Sequence, residues 1–326
     1  MPRSWKSFNA LSLILLPMTL IFGLASYIRR QLFRRGLLKS TKIEVPVIVV
    51  GNITVGGTGK TPTVIAIANA LKASGYIPGV ISRGYRGDGQ KYEVTTRSVA
   101  SKVGDEAILI STKTHCPLWV GPSRTENAQH LLAKYPNVNV IISDDGLQHY
   151  AIKRDIEIIV IDGSRKFGNG LLLPSGPLRE SVKRIHECDF AVINGPEKLN
   201  LPIPTSNMEL VGELFHNLSN VDRTCRASDL CGLEIAAIAG IGNPERFFLH
   251  LESLGLNLKT HVFPDHHKYS ISDITAIEQN VILMTEKDAV KCPIVSGKEC
   301  WILPVQARFN GDLISKILER LKTYRG

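Results

Sequence analysis

Several common signatures are missing from this chain of 326 residues. Its six cysteines include no C-x-x-C pair, which argues against the usual zinc and dithiol redox sites and suits separate thiols in a reducing compartment. The sequence has no RNA-binding signature, zinc-finger spacing or basic region with heptads, and no internal repeat or low-complexity tract. We therefore expect a globular protein without a nucleic-acid partner.

Acidic residues are also missing from one end of the chain. Residues 1–36 contain no Asp or Glu. The same stretch carries the basic residues Arg3, Lys6, Arg29, Arg30, Arg34 and Arg35, which contribute much of the net charge of +9. They flank an uncharged segment, LSLILLPMTLIFGLASYI, at residues 11–28. Basic residues around an apolar segment favour an anionic membrane surface.

The segment 11–28 has several possible roles. As a helix it would be about 27 Å long, which is short for crossing a bilayer. It could be a signal peptide, a helix buried in the protein core, a spanning helix or an anchor within one leaflet. Because a basic cluster directly after a cleavage site disfavours a signal peptide, we predict that residues 1–36 form a retained N-terminal membrane helix with basic flanks.

The stretch VPVIVVGNITVGGTGKTP at residues 45–62 predicts a phosphate-binding loop. VPVIVV is typical of a strand that is buried on both faces, and TVIAIANALKASG is typical of a helix. Between them, Gly56, Gly57 and Gly59 allow backbone N–H groups to converge on an anion, while Lys60 can reach outer phosphates and Thr61 can bind Mg²⁺. The common pattern has glycine where this chain has Thr54.

The rest of the chain alternates short apolar runs with helical stretches, which predicts an α/β fold with a doubly wound parallel sheet. Strands are expected near 77–82, 117–120, 138–143, 156–161 and 189–193, with the polar stretch 195–230 as a connection. A second, smaller α/β unit follows, and its strands are expected near 258–263, 280–284 and 300–304. We assign residues 37–220 to the P-loop core and 221–326 to the smaller domain, whose last helix, near 311–323, could pack back on the core.

Carboxylates occur where such folds bind ligands, at the carboxyl ends of strands. Asp144 and Asp145 end a buried strand in VIISDDGLQH and could serve Mg²⁺, although a turn with solvated acids is the plainer alternative. Asp105 and Glu106 begin a helix in VGDEAILI. From the residues alone, Asp105 could equally be an active-site acid or part of a helix cap.

Histidine and arginine supply further candidates. His266 lies beside Asp265 and His267 in FPDHHKYS, where a proton relay or a surface loop is possible. A zinc site is not expected there, because a third ligand is lacking. Arginines and a lysine in glycine- or proline-rich segments suit phosphate binding; they are Arg83, Arg86, Arg124, Arg165, Arg179 and Lys183.

Seven motifs occur in order across residues 51–290: GNITVGGTGKTP, SRGY, GDEA, DDGLQH, GPLRE, FPDHH and TEKDAV. Together they resemble the tetraacyldisaccharide 4'-kinase family of lipid A biosynthesis in Gram-negative bacteria. The loop of that family has the same form at Thr54. The resemblance implies transfer of the ATP γ-phosphate to the 4'-hydroxyl of a tetraacylated glucosamine disaccharide 1-phosphate, giving lipid IVA, with ATP and Mg²⁺ as cofactors.

The resemblance also implies residue roles. Asp105 would be the base that deprotonates the sugar hydroxyl, and His266 would form a dyad with it. Arg124 and Arg179 would stabilise charge or contact substrate. The nucleotide would contact Thr54, Val55, Gly56, Gly57, Thr58, Gly59, Lys60 and Thr61, with Lys60 also catalytic. The metal would be served by Thr61, Asp144, Asp145 and Glu106.

The implied partners are the lipid A disaccharide 1-phosphate substrate and the lipids of the inner membrane. We expect a monomer at the cytoplasmic face of that membrane in a Gram-negative bacterium. The alternative is a membrane-associated P-loop ATPase that acts as a switch without a small-molecule acceptor. The FPDHH motif and the second α/β unit have no evident task in such a switch.

Overall fold

A computed structural model describes residues 5–85, 87–95 and 97–324, so the candidate basic residues Arg3 and Arg86 lie outside the described residues. The helices are α1 (Ala10–Ile14), α2 (Leu16–Arg34), α3 (Lys60–Ala73), α4 (Ala100–Val103), α5 (Asp105–Thr114), α6 (Arg124–Lys134), α7 (Ala227–Leu230), α8 (Pro244–Ser253), α9 (Ile271–Thr275), α10 (Glu286–Ala289) and α11 (Leu313–Lys322). A 3₁₀ helix covers Val182–Glu187. The strands are β1 (Val47–Gly51), β2 (Pro78–Ser82), β3 (Tyr92–Val94), β4 (Leu118–Val120), β5 (Val140–Asp144), β6 (Ile156–Asp162), β7 (Phe190–Asn194), β8 (Thr205–Val211), β9 (Leu214–Asn217), β10 (Thr224–Arg226), β11 (Ile235–Ala239), β12 (Leu258–Val262), β13 (Val281–Thr285), β14 (Glu299–Leu303) and β15 (Gln306–Asn310).

The chain forms two compact units, one running to Leu210 and resuming at Ala307, the other covering Val211–Gln306. The first unit contains a nine-stranded sheet in the order β15-β8-β7-β6-β1-β5-β2-β4-β3. β1 is parallel to both of its neighbours, with Ile48 opposite Ile142 on β5 and Ile156 on β6. The predicted α/β fold with a large parallel sheet is confirmed.

Apolar residues cover both faces of this sheet. Ile48 and Val50 of β1 belong to one buried cluster, together with residues of α3, α5 and α11. Val47 and Val49 belong to a second cluster on the alternate positions of the strand. Because successive side chains of a strand point to opposite faces, β1 is buried on both sides, which explains its continuous run of β-branched residues.

The N-terminal segment departs from the prediction of one membrane helix. The helix breaks at Leu15 between α1 and α2, with Pro17 at the start of α2, where a proline is tolerated because its missing N–H is not needed. One side packs on the first unit, since the Thr19 hydroxyl donates to Ser175 Oγ at 2.7 Å. Within residues 5–85, 87–95 and 97–324, no helix combines the length and apolar character that spanning a bilayer requires.

The second unit has its own six-stranded sheet, in the order β10-β9-β14-β13-β11-β12. Its four strands β11 to β14 are parallel, whereas β9 and β10 pair antiparallel. The interpretation of residues 195–230 as a connection is wrong, because β8, β9 and β10 lie there. The second unit begins at Val211 rather than at residue 221, and the final strand and helix belong to the first unit.

Candidate active site

The glycine-rich loop joins β1 to α3, as its sequence predicts. Gly56 and Gly59 have φ angles of 98° and 101°, a left-handed conformation that favours glycine. The Asn194 side chain, at the end of β7, donates from Nδ2 to the Thr58 carbonyl oxygen at 3.0 Å. A Cβ atom on Gly59 would lie 2.5 Å from that Nδ2. The loop therefore requires glycine at 59 for both its conformation and its packing.

Two further contacts fix the loop to the rest of the first unit. Arg165 donates from Nη2 to the Gly57 carbonyl oxygen and from Nε to Asp162 Oδ2 at 2.7 Å. On the other side, the Val55 N–H donates to the Pro177 carbonyl oxygen at 2.9 Å. The sequence offered Arg165 as a possible phosphate contact, and the structure places it against the loop backbone.

Lys60, Asp145 and Arg179 come together beside the loop. Lys60 Nζ lies 3.6 Å from Asp145 Oδ1, and Arg179 Nη1 lies 3.1 Å from Asp145 Oδ2. Burial alone would raise the pKa of Asp145, but the positive charges of Lys60 and Arg179 lower it to about 2. Asp145 is thus an anion that holds two cations together, Lys60 at the start of α3 and Arg179, and both cations are of the kind that binds phosphate.

Asp144 has a different environment from its neighbour. Its side chain is 1% exposed; Ser82 Oγ donates to Oδ2 at 3.1 Å, and Oδ1 has no hydrogen-bond partner among the described residues. Burial, followed by the negative charges of Glu106 and Asp145, raises the pKa of Asp144 to about 7. Adjacent carboxylates whose pKa values are pushed apart are a feature of functional sites.

Arg124 begins α6 and is almost fully buried behind these aspartates. Its Nη2 donates to the Asp144 carbonyl oxygen at 2.8 Å, while Nε and Nη1 have no hydrogen-bond partner in the described part of the chain. Burial lowers the pKa of Arg124 to about 10, so the guanidinium stays charged at neutral pH. Two unpaired donors on a buried cation are costly in isolation and suit an anionic ligand.

Asp105 is the first residue of α5 and is 2% exposed. Its Oδ1 accepts from the Glu106 N–H at 2.9 Å. Gly104, directly before it, has a φ of 85°, and a Cβ there would lie 2.6 Å from the Tyr85 carbonyl oxygen. The SRGY segment thus packs closely against the start of α5 and fixes the backbone from which Asp105 extends.

The residues beside the loop are suited to Mg²⁺ only in combination with phosphates. No group of three or more His, Cys, Asp or Glu side chains that could hold a metal occurs in residues 5–85, 87–95 and 97–324. Mg²⁺ commonly binds through one or two carboxylates, water and substrate phosphates. The unpartnered Oδ1 of Asp144 and the buried hydroxyl of Thr61 meet that need, with Asp145 and Glu106 close to Asp144 in charge contact.

His266 belongs to the second unit, in a turn that follows β12. Its N–H donates to the Gly240 carbonyl oxygen at 2.9 Å, and its φ is 62°, which is uncommon for a residue with a side chain. Its Nε2 lies 3.7 Å from Asp265 Oδ1 and 3.3 Å from Lys287 Nζ. The predicted acid beside His266 is present, and Lys287 of the TEKDAV motif joins it.

The sequence interpretation missed two polar residues that shape the first unit's site. Asn194 holds the loop from the end of β7, and its position at the carboxyl end of a strand is a signal that could have identified it. Gln148, in DDGLQH, donates from Nε2 to the Asn52 carbonyl oxygen at 3.0 Å and to Glu180 Oε2 at 2.8 Å. It links the motif to the GPLRE segment through contacts that no local pattern encodes.

Comparison with known proteins gives a consistent result. The sequence matches the family described as tetraacyldisaccharide-1-P 4'-kinase over residues 11–322. It is 46% identical over 323 residues to a tetraacyldisaccharide 4'-kinase of Methylobacillus flagellatus, covering 98% of this chain and 95% of the relative. It is 44% identical over 332 residues to the protein of the same name from Janthinobacterium sp. (strain Marseille), with the same coverage of 98% and 95%. In structure it is similar to the crystal structure of LpxK from Aquifex aeolicus in complex with ATP, with a TM-score of 0.81 and 29% identity over 95% of this chain and 99% of that one.

Proposed function

The chain belongs to the tetraacyldisaccharide-1-P 4'-kinase family, and on this premise we propose that it transfers the γ-phosphate of ATP to the 4'-hydroxyl of a tetraacylated glucosamine disaccharide 1-phosphate. The new bond joins the sugar oxygen to the γ-phosphorus, the bond to the β-phosphate oxygen breaks, and lipid IVA and ADP result. The observation that carries the proposal is the convergence of Lys60 and Arg179 on Asp145 beside the glycine loop.

Charge neutralisation is the main task of the first unit in this reaction. Phosphoryl transfer needs positioned cations more than covalent catalysis. Lys60 and Arg179 supply two, and Arg124 supplies a third whose Nε and Nη1 are unpartnered among the described residues. Backbone N–H groups of residues 54–61 donate hydrogen bonds to the phosphates. When bound through Thr61 and Asp144, with Asp145 and Glu106 nearby, Mg²⁺ supplies further charge neutralisation on the phosphate oxygens.

Asp105 is the group that we assign to the sugar hydroxyl. A hydroxyl is a poor nucleophile at neutral pH, so a carboxylate that orients it and takes its proton accelerates attack. The SRGY segment restrains the backbone before Asp105, which keeps the carboxylate in place. On the family resemblance, we assign His266 as its dyad partner. We expect a monomer.

We also propose that α1 and α2 lie in one leaflet at the cytoplasmic face of the inner membrane. Large apolar side chains of these helices, and of Phe8 just before them, are between 47% and 72% exposed: Phe8, Leu11, Leu13, Ile14, Met18, Leu20, Ile21, Leu24, Tyr27 and Ile28. Exposed apolar side chains next to basic residues are typical of an interfacial helix. A substrate with four acyl chains would meet the protein at that surface.

Membrane association is tested with substitutions that leave the buried side of α2 intact. Replacing Ile14, Leu20 and Ile21 by Ser should reduce co-sedimentation with vesicles that contain an anionic phospholipid. The matched control replaces Leu249, Val262 and Ile294, which are similarly exposed apolar residues of the second unit. Equal binding by the wild type and the α1–α2 variant would exclude this anchor.

The reaction is tested by incubating the protein in detergent with γ-labelled ATP, Mg²⁺ and the disaccharide acceptor. Label should move to the lipid, and an acceptor that lacks the 4'-hydroxyl should receive none. A switch ATPase would instead release labelled phosphate at the same rate without lipid. Binding of ATP without transfer to any lipid acceptor would contradict the kinase proposal.

A further inference from the structure

Asp288, in the TEKDAV motif, is a completely buried carboxylate with three hydrogen bonds. Its relative exposure is 0%. Oδ1 accepts from the Tyr269 hydroxyl at 3.0 Å and from the Gly240 N–H at 3.1 Å, and Oδ2 accepts from the Thr285 hydroxyl at 2.7 Å. A buried carboxylate is costly unless such donors compensate it. The three donors come from separate segments, so Asp288 in α10 joins the end of β11 to the segment that follows FPDHH and to the end of β13.

The Gly240 peptide carries the connection from Asp288 to His266. Its N–H is held by Asp288, and its carbonyl oxygen accepts the His266 N–H at 2.9 Å. A Cβ on Gly240 would lie 3.1 Å from Asp288 Oδ1, from the Pro264 carbonyl oxygen and from the Tyr269 hydroxyl. The peptide is thus enclosed, and a shift of the carboxylate would move the backbone that holds His266 at its left-handed φ of 62°.

The neighbouring residue, Lys287, contacts the same histidine from another direction. Lys287 Nζ lies 3.3 Å from His266 Nε2 and 3.7 Å from Asp265 Oδ1. Lys291, one turn after Lys287, lies with Nζ 3.6 Å from Asp288 Oδ1. Lys287 therefore lies beside the His266 imidazole, and Lys291 lies beside the carboxylate that holds the Gly240 peptide.

The Tyr269 hydroxyl remains a hydrogen-bond donor to Asp288 at physiological pH. Burial and the negative charge of Asp288 raise the pKa of Tyr269, so its hydroxyl keeps its proton across the physiological range. The network is consequently fixed in one pattern of donors and acceptors. A network in which each polar group is satisfied holds its members in one arrangement.

We propose that Asp288 is a positioning residue for His266 and acts on it through the Gly240 peptide. The inference rests on the catalytic role proposed above for His266. Asp288 has no contact with substrate in this account. Asp288 keeps the His266 imidazole in the position and orientation that the reaction requires. Loss of the Asp288 carboxylate would leave ATP bound while the imidazole is misplaced. Small misplacements of a catalytic group are sufficient to slow a reaction by up to about 100-fold.

A double-mutant cycle tests this coupling. Asp288→Asn, His266→Ala and the double variant are compared with the wild type in kcat, in KM for ATP and in thermal midpoint. Asp288→Asn should lower kcat by about 10- to 100-fold with KM for ATP unchanged, and should have less than about a threefold effect when His266 is already Ala. A role in folding alone would lower activity equally in both backgrounds.

Two companion variants keep the test decisive. Gly240→Ala crowds the same peptide with the carboxylate in place and should show the same dependence on His266, which covers the case in which Asp288→Asn fails to fold. The matched control is Asp273→Asn, in the same unit, whose carboxylate accepts from His267 and Ser270; it should leave kcat unchanged.

The possible outcomes distinguish the positioning role of Asp288 from the catalytic role proposed for His266. If His266→Ala retains the wild-type kcat, both the proposed role of His266 and the positioning role of Asp288 are wrong. If His266→Ala is slow but Asp288→Asn and Gly240→Ala reduce kcat equally with and without His266, only the positioning role is wrong. A fall in kcat for Asp273→Asn as large as that for Asp288→Asn would likewise count against a specific route through Gly240.

Discussion

The amide of Asn194 lies against Gly59 at the point where the phosphate loop becomes a helix. Its Nδ2 donates to the carbonyl oxygen of Thr58 at 3.0 Å, and a Cβ on residue 59 would lie only 2.5 Å from the same Nδ2. The nucleotide loop is therefore shaped partly by a side chain from a strand more than 130 residues later in the chain, since the contact spans 136 positions.

We predict that Gly59→Ala abolishes measurable nucleotide binding. The substitution adds a Cβ to a left-handed residue, with φ 101°, and forces it against Asn194. Isothermal titration with an ATP analogue measures the effect. Gly75→Ala is the matched control, because Gly75 has a φ of 80° but no atom within 4 Å of its would-be Cβ. Gly75→Ala should lower the folding stability without affecting nucleotide binding. If it also abolished binding, the loss in Gly59→Ala would be due to backbone strain and not to the contact with Asn194.

Lys60→Met should weaken ATP binding and slow transfer together, because the ammonium group neutralises the phosphates in both states. The substitution also removes one of the two cations that neutralise the Asp145 carboxylate, so its negative charge would be less well compensated. Lys72→Met tests whether the position on α3 matters. Lys72 lies in the last turn of the same helix and donates to the Thr114 carbonyl oxygen at 2.6 Å. Equal kinetic losses in the two variants would argue against a phosphate role for Lys60.

Asp105→Ala should lower kcat by roughly 10²- to 10⁴-fold, the usual contribution of a general base, while affinity for ATP stays nearly constant. Steady-state kinetics with ATP and acceptor varied separately would show it. Glu126→Ala removes another acid from a helix first turn and should be silent. A collapse of nucleotide affinity in Asp105→Ala would instead identify Asp105 as a structural or metal-binding group.

His149 should make folding stability depend on acidic pH. Burial, followed by the positive charges of Arg124 and Arg83, lowers its pKa to about 3, with Arg29 acting in the same direction and Asp145 against it. Between pH 6.5 and about 3, the unfolded chain binds a proton that the folded protein does not, so the free energy of unfolding falls as pH falls. In urea titrations from pH 7 to 4, His149→Gln should lose stability less steeply than the wild type. The exposed His186→Gln should follow the wild type, and an identical slope in His149→Gln would refute the prediction.

The core of the first unit was predictable because local signals agree with one another there. The apolar run before Gly51, the glycines and the helix after Lys60 each favour the same structure. Asp144 and Asp145 could be placed near the loop from strand topology alone. What the residues could not indicate was the opposite shift of their pKa values, because it depends on burial and on charges from other segments, with Glu106 raising the pKa of Asp144 and Lys60 and Arg179 lowering that of Asp145.

Other features escaped prediction for physical reasons. Thr205–Val211 and the short strands after it are polar and partly exposed, so they lack the buried apolar run that identifies a strand. The break at Leu15 falls within an apolar segment, where hydrophobicity alone does not indicate where one helix ends. Asp288 resembles an ordinary charge near a helix start, and only its burial beside Gly240 distinguishes it.

The return of β15 and α11 to the first unit has a consequence for how the protein is made. Leu313, Ile317 and Leu321 of α11 share a core with the helix that follows the glycine loop, and β15 completes one edge of the nine-stranded sheet. A ribosome delivers both only after it has translated the whole of the second unit. Until then, the nascent nucleotide-binding core exposes the apolar side that α11 will cover. Pauses in translation before residue 307 would therefore leave the incompletely folded first unit prone to aggregation and dependent on chaperones.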